Sequence, residues 1–170
     1  HAKAGRFDTG AGLGIYRTDD RNLITGQARA DTNITWGTIG ASASREVLTD
    51  TAQLIENGIV RTIGTLSLSE TVSPRFSFTE SFIYSGFSDG TNAADLWLTA
   101  QYTVTTSSPK IAVGYRFRYL DFRRQSGSGY FDPEDFISNQ VFASFYTEEN
   151  GYYAYLEPYV GYQSYTRYDA

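Results

Sequence analysis

The chain has 170 residues, 41% apolar and 16% aromatic, with a formal net charge of −5, which is enough apolar material for a single domain with a core spanning residues 1–170. Cysteine and methionine are both missing, which excludes disulfides and thiolate-held metals, and the acidic balance argues against nucleic acid as a partner. No apolar run reaches the roughly 20 residues that a membrane-crossing helix needs.

What the chain has instead is alternation with a step of two, the mark of strands with two unlike faces. Nine strands are expected, at about 6–17, 23–31, 34–45, 59–69, 76–85, 94–104, 110–122, 138–147 and 152–166, with almost no helix. In the first, "TGAGLG" sets Gly10, Gly12 and Gly14 on one face and Ala11, Leu13 and Ile15 on the other. A nucleotide loop would need a helix after these glycines, and the sequence signals none. The turn between the second and third strands is placed near Asp31–Asn33, with "NITWG" as the other candidate.

In the fifth strand Phe76, Phe78, Phe82 and Tyr84 share a face with Glu80, opposite Ser77, Thr79, Ser81 and Ile83. Hydroxyls are cheaper against lipid than a carboxylate, so Glu80, with the phenylalanines beside it, is expected on the watery side. The sixth strand opposes Leu96, Leu98, Ala100, Tyr102 and Val104 to Trp97, Thr99, Gln101 and Thr103; the seventh opposes Ile111, Val113, Tyr115, Phe117 and Tyr119 to Ala112, Gly114, Arg116 and Arg118. In the ninth, Ala154, Leu156, Pro158, Val160 and Tyr162 oppose Tyr153, Tyr155, Glu157, Tyr159 and Gln163.

Long connections at 46–58, 86–93 and 123–137 alternate with the short turns "ETVSPR", "TTSSP" and "EENG". Antiparallel hairpins with loops sorted by end are built like an up-and-down transmembrane β-barrel; a soluble, aromatic-rich β-domain is the alternative. A spanning barrel leaves no open edge, so an odd strand count implies a piece of a larger barrel or an overlooked strand.

On this reading the lumen carries Trp97, Gln101, Arg116, Arg118, Tyr153, Tyr155, Glu157 and Tyr159. Aromatic rings stack on the C–H faces of sugars, and the polar groups bond to their hydroxyls. The same residues equally suit bracing of a barrel interior. His1 is the one histidine, so neither a Ser–His–Asp triad nor a histidine-held metal is expected, and no cofactor or metal is assigned.

The stretch "GSGYFDPEDFIS" (127–138) is unusual for a connection, because it spends aromatics among turn residues. Pro133 stiffens it, and Tyr130 and Phe131 are expected to fold back against the sheet. Gly129, Tyr130, Phe131, Pro133 and Phe136 resemble the Gly-Tyr-Phe-x-Pro-x-x-Tyr/Phe signature of bacterial exopolysaccharide secretin barrels, the family of the cellulose-export and poly-N-acetylglucosamine outer-membrane channels. Ser44, Arg45, Asp50 and Thr51 in "SASREVLTDTAQLIENG" are similar to a second stretch of that family, with Val47 where proline is usual.

The resemblance implies an outer-membrane channel, not an enzyme, that exports a cellulose-like or amino-sugar polymer. It implies membrane lipid as surroundings, and a periplasmic helical-repeat region and an inner-membrane synthase complex as partners. Gly129, Tyr130, Phe131, Asp132, Pro133 and Phe136 would then shape or gate the exit, or else pin the register of the following strand. The family's helical repeats and last strands are not found here, which adds to the expectation of a barrel fragment. The other readings are a structural or general-diffusion barrel without polysaccharide specificity, and a glycan-active enzyme using Asp132, Glu134 and Asp135.

Overall fold

The computed structural model describes residues 7–17, 21–149 and 151–166; His1, and the expected strand's first residue 6, lie outside them. The period-two segments form β1 (Phe7–Arg17), β2 (Asn22–Ile34), β3 (Gly37–Val47), β4 (Val60–Ser73), β5 (Phe76–Phe87), β6 (Asn92–Thr105), β7 (Lys110–Phe122), β8 (Glu134–Glu149), β9 (Tyr152–Leu156) and β10 (Tyr159–Thr166), with one short helix α1 (Ala52–Asn57) between β3 and β4. Each strand pairs antiparallel with its sequence neighbour from β1 to β8, and both β9 and β10 pair with β8. The result is an open, up-and-down sheet. Among the described residues no helix is long and apolar enough to cross a membrane, which says nothing of strands.

β9 and β10 are one interrupted strand. Phe145 faces Leu156 and Phe142 faces Tyr159, so the register runs unbroken through Glu157 and Pro158. Ala143 N–H still donates to the Pro158 carbonyl at 3.1 Å; only the bond that a proline cannot return is lost. The single expected strand at 152–166 and the two observed segments therefore describe the same line of chain.

Register fixes the two faces. Going across the sheet, Ala11, Ala28, Ala43, Gly64, Tyr84 and Ala94 share one side, and it continues through Leu96, Leu98, Tyr115, Phe117, Val141 and Val160. We call this the apolar face; Leu66, Phe82, Tyr84, Tyr115, Val141 and Val160 on it are exposed. The opposite, polar face carries Gln27, Arg29, Ser42, Thr65, Ser81, Trp97, Arg116, Arg118, Ser138 and Gln163.

Three expectations are corrected. The turn between β2 and β3 lies at Thr35–Trp36, within the alternative "NITWG" and not at Asp31–Asn33, because β2 runs on to Ile34; Trp36 O accepts from Thr71 N–H at 2.8 Å and so ties the turn to β4. The connection placed at 86–93 shrinks to Ser88–Thr91, because Gly86 and Phe87 still pair in the sheet and Phe87 N–H reaches the Thr91 carbonyl at 2.9 Å. Glu80 lies on the apolar face, opposite Leu68 and Leu98. Strand parity decides this: the phenylalanines occupy the same parity, so the Ser/Thr row takes the polar side.

The core sits at the end of the polar face where residues 48–59, 88–91 and 123–133 converge. Leu48, Leu54, Ile59, Phe87, Ala93, Leu120, Phe122 and Phe136 form it, with Tyr130 packed alongside. Helix α1 brings Leu54 there. Thr51 caps the helix, its hydroxyl accepting from Leu54 N–H at 3.2 Å.

Candidate functional site

Two arginines organise the polar face of β6–β10. Alternation along β7 puts Arg116 and Arg118 on this side, and pairing sets them opposite Thr99 and Trp97 on β6 and opposite Gln140 and Ser138 on β8. The Arg118 guanidinium forks onto both Asp95 carboxylate oxygens, at 3.0 and 2.9 Å. It also lies over the Trp97 ring, 4.4 Å from its centroid, and 5.5 Å from that of Phe136. A planar cation can hold a carboxylate in its plane while stacking on rings with its faces, which an ammonium cannot do.

Arg116 repeats the arrangement one row away. It donates to Glu157 at 3.3 Å and covers the Phe142 ring at 4.8 Å, while Tyr155 Oη donates to the other Glu157 oxygen. Phe142 reaches across β7 because Gly114 lies beneath it; a Cβ there would strike the Phe142 ring and the Ala100 carbonyl. Between the arginines is a small pocket of about 120 Å³, lined by Trp97, Arg116, Arg118, Phe136, Ser138, Gln140 and Gln163. Both cations are neutralised by carboxylates, so what the pocket offers a ligand is hydroxyl and amide chemistry.

All eight residues expected to line the lumen lie on this one face of the sheet. Trp97, Arg116 and Arg118 meet in the pocket, and Glu157 joins through Arg116. Gln101 stands a row away, opposite Gly114. Tyr153, Tyr155 and Tyr159 form an open aromatic row along β9–β10, 77%, 60% and 66% exposed. Sequence reasoning left out Asp95, although it shares the parity of Trp97 and Gln101 and alternation alone places it on this face. It also left out Phe142, whose role depends on the glycine across the ladder.

The loop motif forms a second constellation. Tyr130 stacks on Phe87 at 4.7 Å and 14°, and packs on Phe122 at 5.8 Å. Its hydroxyl donates to Asp89 at 2.9 Å, as does Ser128 Oγ at 2.8 Å, while Thr91 N–H serves the other oxygen. Burial tends to raise the Asp89 pKa, but these three bonds outweigh it and hold the carboxyl below its usual range. Burial, helped by the neighbouring carboxylate, pushes the Tyr130 phenol up.

Gly129, at φ 92°, makes the bend that aims Tyr130 inward; a side chain there would be strained and would meet Gln53 of α1. Phe131, unlike Tyr130, does not take the expected burial: it is 56% exposed, touching Phe136 and Tyr165 edge-on at 6.0 and 5.4 Å. Asp132 accepts from Ser126 N–H, and the Pro133 carbonyl accepts from Phe122 N–H at 3.2 Å. Asp135, at φ 51°, accepts from Tyr119 Oη at 2.8 Å. Gln53 Nε2 to Gly127 O at 3.4 Å and Arg124 Nη2 to Asp89 O at 2.9 Å tie the three connections together. Nothing in the sequence marked Asp89 as their hub. Among the described residues no three His, Cys, Asp or Glu side chains gather as a metal site would require.

Comparison with protein-family models, with curated proteins and with solved structures finds no match for this chain.

Proposed function

We propose that this sheet is part of the wall of a bacterial outer-membrane β-barrel through which a polysaccharide is exported. The observation that carries the reading is the segregation of the two faces. The apolar face exposes Leu66, Phe82, Tyr84, Tyr115, Val141 and Val160, and exposed apolar side chains gathered on one face mark an interaction or membrane surface. The polar face carries the paired charges, hydroxyls and amides. Lipid outside and water inside is the arrangement that satisfies both, with further strands completing the wall.

The polysaccharide part rests on the resemblance of 127–138 and on the side chains left available inside. Tyr153, Tyr155 and Tyr159 present open rings on the same face as Gln163, Gln140 and Ser138, a surface suited to the C–H faces and hydroxyls of neutral sugars. The periplasmic helical repeats and the inner-membrane synthase remain partners implied by the same resemblance.

One observation favours a second reading, a barrel without polysaccharide specificity. Arg116 and Arg118 are each committed to a carboxylate and to ring faces, which is how bracing residues behave. Reconstitution into planar bilayers separates the two. Block of conductance by cello-oligosaccharides or chito-oligosaccharides, weakened by Tyr155→Ala and Tyr159→Ala, supports export; conductance indifferent to both sugars supports the unspecific barrel; no membrane insertion overturns both.

A further inference from the structure

We infer that the apolar face of β2–β5 carries a binding groove for one acyl chain of an anionic lipid, with Arg45 holding the headgroup. The inference rests on the membrane reading above. Side-chain size across neighbouring rows makes the groove. One row reads Ala11, Ala28, Ala43, Gly64 and Tyr84; the next reads Thr9, Ala30, Ala41, Leu66 and Phe82. Methyl-sized floor residues next to Leu66, Phe82 and Tyr84 leave an open apolar groove of about 540 Å³. A surface meant only to slide against fluid lipid has no need of such a trough.

The third row names the ligand. It reads Leu13, Gly26, Arg45, Thr62 and Gly86, so Arg45 follows Ala41 and Ala43 on the same face of β3, at the end of the floor nearer the long loops. Arg45 is exposed, and its Nη1 donates to the Thr62 hydroxyl at 3.1 Å. It is in none of the ion pairs found among the described residues, unlike Arg29, Arg61, Arg116 and Arg118. A guanidinium with donors to spare, at the head of an apolar trough close to a strand end, complements a phosphate at the membrane surface with its chain below. A helix or a second barrel seated there would leave that charge facing apolar surface.

The test uses the chain in dodecyl maltoside micelles, with native mass spectrometry counting retained lipid. Dimyristoyl phosphatidylglycerol should be retained at least tenfold better than dimyristoyl phosphatidylcholine at equal concentration. Arg45→Gln should abolish the preference, and Ala43→Leu, which fills the floor, should cut retention of both lipids; unchanged circular dichroism certifies the fold of each variant. Equal retention of the two lipids by the wild type, or a preference that survives Arg45→Gln, overturns the inference while leaving the membrane reading intact. An Ala43→Leu variant that changes oligomeric state without changing lipid retention makes the groove a protein contact and also overturns it. A chain that stays monodisperse in buffer and ignores micelles overturns both.

Discussion

Arg118 and Asp95 face each other diagonally across β6 and β7 in a two-pronged pair, 3.0 and 2.9 Å, with the Trp97 ring under the guanidinium. Their side chains are 29% and 14% exposed, so the pair is shielded enough to matter and wet enough not to be prohibitive. Losing one partner is worse than losing both, because the survivor keeps its desolvation penalty without its counter-charge. Asp95→Asn should destabilise by about 1–3 kcal/mol, and Arg118→Lys, which loses the fork and the stacking, by about 1 kcal/mol or more. Thermal unfolding in detergent reads both; Asp95→Asn combined with Arg118→Leu should recover part of the loss.

Tyr130 and Phe131 should behave differently although they are neighbours. Tyr130→Ala removes a ring that packs on both Phe87 and Phe122 and should cost about 3–5 kcal/mol. Tyr130→Phe loses only the bond to Asp89, about 1 kcal/mol. Phe131→Ala, at a half-exposed position, should cost under about 1 kcal/mol. Unfolding midpoints check the order, and an equal loss at both positions would mean that both rings anchor the loop.

Acid should loosen the joined connections before the sheet. The Asp89 pKa is lowered in the folded chain, so its stabilising contribution is fully present above the unfolded value of about 3.9 and fades as pH falls through the lower folded value. The protection of amides in residues 123–133, relative to their intrinsic exchange rates at each pH, should therefore fall below about pH 4. Asp89→Asn should exchange faster at neutral pH and lack that acid limb; an identical pH profile in the variant would refute the assignment.

The faces can be read by labelling. Cysteines in place of Arg116 and Arg118 should react with water-soluble, charged maleimides in reconstituted vesicles, whereas cysteines in place of Tyr115 and Phe117 should react with lipid-soluble ones. Adjacent residues on β7 must alternate in any paired strand, so a smooth gradient along the four positions would show that β7 is not a spanning strand.

Proline scanning of β10 tests the register through its interruption. The Pro158 carbonyl points to β8, so Val160, two residues on, also points its N–H to β8, while the N–H of Tyr159 points away. Val160→Pro removes a ladder hydrogen bond to β8 and should cost about 1–3 kcal/mol. Tyr159→Pro should cost much less. Equal penalties would place the interruption elsewhere.

Much of the architecture was legible from the sequence because strand periodicity is local. Parity along β6, β7 and β9–β10 was enough to put Trp97, Gln101, Arg116, Arg118 and the tyrosines on one side, since a side chain cannot change face without slipping the whole register. The open row Tyr153, Tyr155 and Tyr159 followed from that alone. What the sequence could not specify depends on which strands lie beside one another and how far each runs. Glu80 was misplaced because a preference of one residue for water was weighed above the shared parity of four aromatics. The connection at 88–91 looked long because Gly86 and Phe87 read as loop residues until pairing with β4 and β6 claimed them. Asp89, Tyr130, Phe87 and Phe122 come from three separate segments, and Arg118, Asp95 and Phe136 from three strands. Only tertiary structure brings such groups within hydrogen-bonding or stacking reach, because sequence patterns report the period of each strand and not the distance between them.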